Sequence, residues 1–570
     1  MRTLTGRVLI LGADTRAFLS VVRSLGRYGL EVDVAWCPWD SPSLRSRYIR
    51  KVQSLPGYRS DDTAWLRSLA ELMERESYDL VIGCNDACLL PLQQHRAEIE
   101  WAGRVDLLPD ETFDICVDKQ KTYDLAERLG IPVPRQRVIH SQAELEALGA
   151  EWGYPLVLKP RASVSLRDPS SKHSVVKIWG PADIGPALRD FDLAQGVPVQ
   201  ENFIGRGVGV EILAKDGELL TAFQHERVHE PLMGGGSSYR KSVALDPALL
   251  DGTRRLMRAL GYTGVAMVEF KHSRRTGAWA LMEINSRFWG SLPLSLAAGV
   301  DFPRYLYEMV CEGRTEFPKA YREGIYARNW AMDLYWLKAN LKADRSNPAL
   351  MTLPLGEVAR EIFHLVTLRE RSDTLVLDDP APAFSEMRQL VSAWLTPRLN
   401  KIPLVRGEMR RRAERAIRSA HRVLFLCRGN ICRSPFAEYA LRLAAGDAVE
   451  CASAGSYPVA GRRSPEAAIE AARRLGVELG PHQSRVMDRE MAARADVILI
   501  FDREQQSTLE AWYPEALGKV HYLGALDPTG PLEIPDPYGR DAGVFLACYQ
   551  RLQQLLAWPA FQRSPASRAG

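Results

Sequence analysis

Along the first hundred residues, short apolar runs alternate with stretches of helical spacing. Residues 7–12 (RVLILG), Glu31-Val32-Asp33-Val34-Ala35 and residues 78–83 read as strands, and residues 15–28 carry Val21, Val22 and Leu25 on one helical face. This alternation predicts an α/β layer fold. The pattern changes near residue 115. Asp118-Lys119 opens a helical stretch that stops at Gly130-Ile131-Pro132, and two apolar runs follow, Tyr154–Lys159 and Val199–Ile204. A glycine-rich loop, residues 234–238, precedes Arg240 and Lys241. Residues 326–341 and 358–368 are apolar with helical spacing and carry no motif. Late in the chain Val423–Leu426 reads as a strand, and residues 436–443 as a helix.

Two of these segments carry chemistry. Val265–Lys271 and Ala278–Asn285 flank the turn Arg274-Arg275-Thr276-Gly277 and predict a β-hairpin. Centred near Thr276, the hairpin sets Glu269 opposite Glu283, with Asn285 two residues along the same face. Two carboxylates held together among apolar neighbours repel each other, and a divalent cation removes the conflict. With an amide oxygen they form a hard donor set suited to magnesium carrying phosphates. Arg287 follows two residues on, placed to bind a phosphate or carboxylate. The second segment is Cys427-Arg428-Gly429-Asn430-Ile431-Cys432-Arg433-Ser434-Pro435, a tight loop between strand and helix. Ser434 and Pro435 suit the N-cap and first turn, so the loop closes on a helix N-terminus that favours an anion. Cys427 is placed there as a thiolate nucleophile, and Arg433 offers a planar fork for phosphate oxygens.

Length and composition narrow the setting. The 570 residues suffice for three or four domains, and 46% hydrophobic with 25% charged residues is ordinary for a globular protein. A net charge of +4 gives no argument for a nucleic-acid partner. Nine scattered cysteines without a CxxC pair predict neither a disulfide framework nor a zinc site, and suit a reducing cytoplasm. The opening residues lack a signal-peptide pattern. No uncharged apolar run approaches ~20 residues, so no membrane span is expected. Gly12-Ala13-Asp14-Thr15 does not complete a dinucleotide fingerprint. Between Arg406 and Arg422 seven arginines face two glutamates; Glu408–Arg412 and Glu414–Arg418 pairs predict a solvated helical linker.

Residues 1 to about 310 resemble the ATP-grasp enzymes, nearest to the carboxylate–amine ligases related to the carbamoyl-phosphate synthase large chain. The matching positions are Lys119, Lys159, Glu201, Ile204, Glu211, Glu269, Glu283, Asn285 and Arg287. The resemblance implies that Lys119 and Lys159 hold ATP phosphates, that Glu201 and Ile204 lie at the adenine hinge, and that Glu211 is near the ribose. It implies magnesium on Glu269, Glu283 and Asn285, with Arg240 and Arg287 facing an acyl phosphate. One departure is the segment 162–167, poorer in glycine than the family's phosphate-covering loop. Residues 421 to about 558 resemble the low-molecular-weight protein tyrosine phosphatases through Cys427–Pro435, Cys451–Gly455 and Ile534–Tyr538. That resemblance implies Cys427 as nucleophile, Arg433 and the loop amides of Arg428, Gly429, Asn430, Ile431 and Cys432 on the phosphate, and Asp536 as general acid. Asn430 and Ser434 would hold the loop, and no cofactor is needed. Without the resemblance Asp-Pro-Tyr is only a turn, and Asp502 or Asp527 competes for the acid role. Arg428 and Phe501 depart from the family pattern, and Tyr457 and Tyr538 are candidates for the aromatic wall.

The expected organisation is a Rossmann-like pre-domain (1–114), an α+β ATP-grasp domain (115–310), a helical extension (311–400), a basic linker (401–420) and a doubly wound parallel-sheet phosphatase (421–560). The expected function is bifunctional: ATP- and magnesium-dependent ligation of a small carboxylate to an amine, and hydrolysis of phosphotyrosine protein or a small phosphoester. The alternative is a phosphatase regulator whose ATP-grasp half senses nucleotide without ligating.

Overall fold

The computed structural model describes residues 6–561, apart from 39–40, 57, 59–62, 160–174, 189–190, 192, 233, 274, 346, 348–349, 368, 401 and 457–459. The chain forms two compact units, Met1–Met387 and Arg388–Gly570. The first begins with a parallel sheet, β1 (Arg7–Leu11), β2 (Glu31–Ala35), β3 (Ile49–Val52) and β4 (Leu80–Gly83), ordered β3-β2-β1-β4. Its inner strands β1 and β4 are almost wholly apolar because both faces are covered, while the edge strand β3 exposes Arg50 and Lys51. Val8 and Ile10 pack with the helix Ala17–Tyr28, while Leu9 and Leu11 pack with the helix Ala64–Glu76. A small antiparallel sheet follows: β5 (Gln136–Ile139), β6 (Leu156–Leu158), β7 (Val176–Ile178) and β8 (Val197–Glu201), in the order β5-β8-β6-β7.

The centre of the unit is a seven-stranded sheet. It contains β9 (Arg206–Lys215), β10 (Glu218–His229), β11 (Tyr239–Val243), β12 (Gly264–His272), β13 (Trp279–Asn285), β14 (Tyr326–Arg328) and β15 (Glu370–Ser372), ordered β13-β12-β9-β10-β11-β14-β15. Alternation divides its residues. Val208, Val210, Ile212, Ala266, Val268 and Phe270 enter a core with the helix Pro247–Ala259. The opposite face carries Glu211, Arg227, Glu269 and Glu283. Residues expected to be purely helical, 326–341 and 358–368, contribute differently. Tyr326–Arg328 is a strand, and β15 follows the second run, so this segment extends the central sheet before and after its helices. Buried ion pairs hold it there. Arg328 binds Asp333, Glu361 and Glu370, and His229 lies between Asp333 and Glu361 at 2.8 Å from each. Asp379, also buried, accepts from Arg23 Nε at 2.9 Å and Ser46 Oγ at 2.7 Å.

The second unit is a parallel sheet of β16 (Arg422–Cys427), β17 (Glu450–Gly455), β18 (Val497–Ile500) and β19 (Val520–Tyr522), ordered β17-β16-β18-β19. Val423, Phe425, Val497 and Leu499 face the helices Arg433–Ala445 and Ala542–Leu556, and Leu424, Leu426, Ile498 and Ile500 fill the other core. The expected solvated linker is instead part of this unit. In the helix Pro403–Ser419, Ala413 and Ile417 are buried in the core, and buried Arg406 donates to the carbonyls of Gly524, Asp527 and Gly530. Glu408 does pair with Arg412 at 2.8 Å, but Glu414 accepts from Trp558 Nε1 at 3.0 Å instead of meeting Arg418.

Candidate active sites

In the first unit Glu269 and Glu283 are direct register partners on β12 and β13, and Asn285 Nδ2 donates to Glu283 Oε1 at 3.1 Å. Arg227 reaches them from β10. Its Nη2 lies 2.6 Å from Glu269 Oε2, and its path crosses β9 over Gly207, where a Cβ would stand 2.5 Å from the arginine Cδ. Gly209 makes the same room for His225, which reaches Glu211 at 2.9 Å. Lys119, first residue of the helix Lys119–Arg128, stands 3.8 Å from Glu283, and Lys159 Nζ is 3.0 Å from the Tyr123 hydroxyl. Burial pushes Lys159 down to about 8, with Glu283 and Glu269 opposing, and burial then Lys271 push Lys177 down to about 8. Burial, opposed by Arg227 and reinforced by Glu283, raises Glu269 above the ordinary carboxylate range. Glu283 moves the other way, because Lys119 and the Asn285 hydrogen bond outweigh its burial. Two partly buried carboxylates facing each other, with an amide beside them and lysines around them, fit a magnesium ion carrying phosphates. Arg287 is held by both oxygens of Asp86, at 2.7 and 3.0 Å, and fully buried Arg240 is paired with Asp373 at 2.5 Å.

In the second unit the loop leaving β16 is built around Asn430, whose φ of +50° lies in the left-handed region that asparagine tolerates. That conformation lets the Asn430 N–H donate to Cys427 Sγ at 3.2 Å. Its side chain donates to Ser434 Oγ at 2.9 Å and Ser453 Oγ at 2.8 Å, and accepts from the Arg485 N–H at 2.7 Å. Ser434 Oγ is 3.0 Å from Cys427 Sγ. Gly455 lets β17 lie against this loop, since a Cβ would come within 2.9 Å of the Arg428 carbonyl. Arg433, 1% exposed, bridges two acids, with Nη1 2.6 Å from Asp502 and Nη2 2.8 Å from Asp536. Asp536 is the more exposed acid; Asp527 caps its own turn at Thr529, outside this constellation. Burial raises the Cys432 thiol, with Asp536 adding to it.

Residues 422–559 match the family model for low molecular weight phosphotyrosine protein phosphatase. The low molecular weight protein-tyrosine-phosphatase Ptp of Acinetobacter johnsonii is 36% identical over 22% of this chain and 84% of its own length. Etp of Escherichia coli K12, of the same description, is 34% identical over 23% of this chain and 87% of its own. The chain belongs to the low-molecular-weight protein tyrosine phosphatase family. Residues 197–331 match the model described as ATP-grasp in the biosynthetic pathway with Ter operon, so the chain joins an ATP-grasp domain to the phosphatase. Among solved structures, N5-carboxyaminoimidazole synthetase from Staphylococcus aureus is 14% identical over 61% of this chain and 88% of its own, at a TM-score of 0.45. Among the described residues no helix is long and apolar enough to cross a membrane.

In the phosphatase, Cys427, Asn430, Arg433, Ser434 and Asp536 come together as one constellation. Arg428 is exposed and lies 3.4 Å from Glu504, so its extra positive charge has a partner. Tyr457 lies outside the described residues, and Tyr538 is 62% exposed. In the ATP-grasp half, Lys119, Lys159, Glu269, Glu283 and Asn285 share one site. Glu201, at the end of β8, has its carboxylate held by Arg135 at 2.8 Å, and Ile204 is exposed just beyond it. Glu211 is fully buried and accepts from Ser291 Oγ at 2.6 Å. The segment 162–167 lies outside the described residues. Sequence reasoning missed Arg227, Lys177 and Lys271. Its one available signal was Gly207 and Gly209, two same-face glycines that open β9 to long side chains from the neighbouring strand.

Proposed function

We propose that the chain is a two-reaction enzyme, an ATP-dependent carboxylate ligase working through an acyl phosphate and a phosphomonoesterase working through a phosphocysteine. The observation that supports the ligase is the Glu269–Glu283 register pair surrounded by Lys119, Lys159 and Arg227. Glu269, Glu283 and Asn285 would hold magnesium, which when bound neutralises phosphate charge. Lys119 and Lys159 bind the phosphates, and Arg287 and Arg240 face the carboxylate as it attacks the γ-phosphorus. ADP leaves, and an amine then displaces phosphate from the acyl group. In the phosphatase Cys427 Sγ forms a bond to phosphorus as the ester P–O bond breaks. Arg433 and the loop amides hold the equatorial oxygens, and Asp536 protonates the leaving oxygen. Asp536 then takes a proton from the water that breaks the S–P bond. Asp502 holds the Arg433 fork.

The experiment is paired. Cys427→Ser abolishes aryl-phosphate hydrolysis and leaves nucleotide turnover intact, whereas Glu283→Ala removes magnesium-dependent ADP release and leaves hydrolysis intact. Retained hydrolysis in the first variant sinks the phosphatase assignment. ATP binding without ADP release across carboxylate–amine mixtures favours a nucleotide sensor over a ligase.

A further inference from the structure

Four arginines of the first unit gather at the ligase site, and three have an acid of their own. Arg227 has Glu269 at 2.6 Å, Arg240 has Asp373 at 2.5 Å and Arg287 has Asp86 at 2.7 Å. Arg227 and Arg240 are register partners on β10 and β11, so their side chains leave the same face of the sheet. The fourth is Arg16, in the loop between β1 and the helix Ala17–Tyr28. Its guanidinium lies against Gly290, three residues after Arg287, where a Cβ would stand 2.7 Å from Nη1. Asp14, the nearest acid in sequence, directs its carboxylate at backbone instead, accepting from the N–H groups of Arg16 at 2.7 Å and Phe18 at 3.3 Å. Among the described residues the Arg16 side chain has no hydrogen bond or ion pair. Burial, then Arg240, hold its pKa below the ordinary guanidinium value, with Asp373 and Asp14 opposing. A partly buried guanidinium beside three neutralised ones is an unfilled anion receptor. Fully buried Arg240 also keeps its Nε without a partner among the described residues.

We infer that Arg16 receives a second oxyanion of the ligase substrate, a carboxylate or phosphate other than the carboxylate activated beside Arg287. The inference rests on the ligase reading and sharpens it: the substrate is at least a dianion before activation. Arg16 is a binding and specificity residue. A substrate with a single carboxylate leaves the guanidinium without a counter-charge, which disfavours its binding.

The test uses the full chain with magnesium and a non-hydrolysable ATP analogue, so that the nucleotide occupies its own phosphate positions. Malonate and inorganic phosphate are titrated calorimetrically in separate arms, against wild type, Arg16→Gln, Arg16→Lys and, as an exposed control, Arg45→Gln. The expected result is saturable binding of one anion that weakens about 10- to 100-fold in Arg16→Gln, the loss of one charge-assisted contact. Arg16→Lys recovers part of it, Arg45→Gln matches wild type, and analogue affinity is the same in all four. The arm that binds more tightly identifies the group as carboxylate or phosphate. Binding unchanged in Arg16→Gln, or no binding in either arm, overturns the inference while the ligase reading stands. Failure of the analogue itself to bind overturns the ligase reading, and this inference with it.

Discussion

Single side chains divide the work in the phosphatase site. Arg433 is held on one side by Asp502 and on the other by Asp536, at 2.6 and 2.8 Å, and geometry alone makes either acid available. Exposure separates them, since Asp536 is 34% exposed against 18% for Asp502. Asp502 also caps the helix Arg503–Trp512 through the Glu504 N–H, which fixes its orientation. Asp536→Asn therefore lowers kcat by about 100- to 10,000-fold for alkyl or phenyl phosphate esters, the range for a lost general acid. In kcat/KM, which reports phosphorylation of the cysteine, the deficit shrinks for nitrophenyl leaving groups, which depart without a proton, while the water step keeps its need for the base whatever the ester. Asp502→Asn instead raises KM, with no dependence on the leaving group. A leaving-group series measured on both variants checks this, and equal slopes would return the acid role to open competition.

Two elements carry more than their periodicity announces. The helix Pro403–Ser419 looks like a charged linker because its arginines dominate its composition, yet Arg406 serves as an internal tie to three carbonyls of the Gly524–Gly530 turn. Arg406→Met leaves those acceptors without their donor, and destabilises the phosphatase unit by about 1–3 kcal/mol, read as a lower urea midpoint at unchanged m-value. The second element is the strand end carrying His229. Its ring stacks on Trp336 at 3.4 Å and is hydrogen-bonded to Asp333 and Glu361, with Arg328 bound to the same two acids and Glu370. Burial lowers the His229 pKa, but the two carboxylates outweigh it and the net shift is upward from 6.5. A raised folded-state value means that the charged ring stabilises the fold fully below 6.5, and that this stability is lost as pH rises through the higher folded value. Asp333 has the opposite sign. The His229 and Arg328 partners outweigh its burial and hold it below 3.8, so its contribution fades only in acid. Unfolding midpoints of the first unit should therefore fall on going above pH 6.5, and His229→Gln should flatten that slope. A slope unchanged in the variant would assign the titration elsewhere.

At the scale of the whole molecule, two compact units each close their own core, and each presents one candidate site. What the sequence by itself determined was local. A strand and a tight loop leading into a helix at Cys427–Pro435, and a hairpin centred near Thr276, are set by turn chemistry and side-chain alternation within a few residues, although the helix begins at Arg433 with Cys432 and not Ser434 at its cap. Hence the pairing of Glu269 with Glu283 was legible from the residues alone, whereas a role for Ser434 beside Cys427 came only through the family resemblance. The tertiary structure alone decided what faces those residues from far along the chain. Arg227 reaches Glu269 only because β9 lies between them with a glycine at the crossing, and Asp502 and Asp536 meet Arg433 only once β16 and β18 are paired. The same holds for burial. Glu211 matched a family pattern in sequence and is fully buried against Ser291, and Arg406 reads as solvated but is enclosed. Alternation and capping are enforced by the bonds of one segment. Which charge is paired, buried or left open depends on neighbours brought together by packing, and no local pattern encodes them.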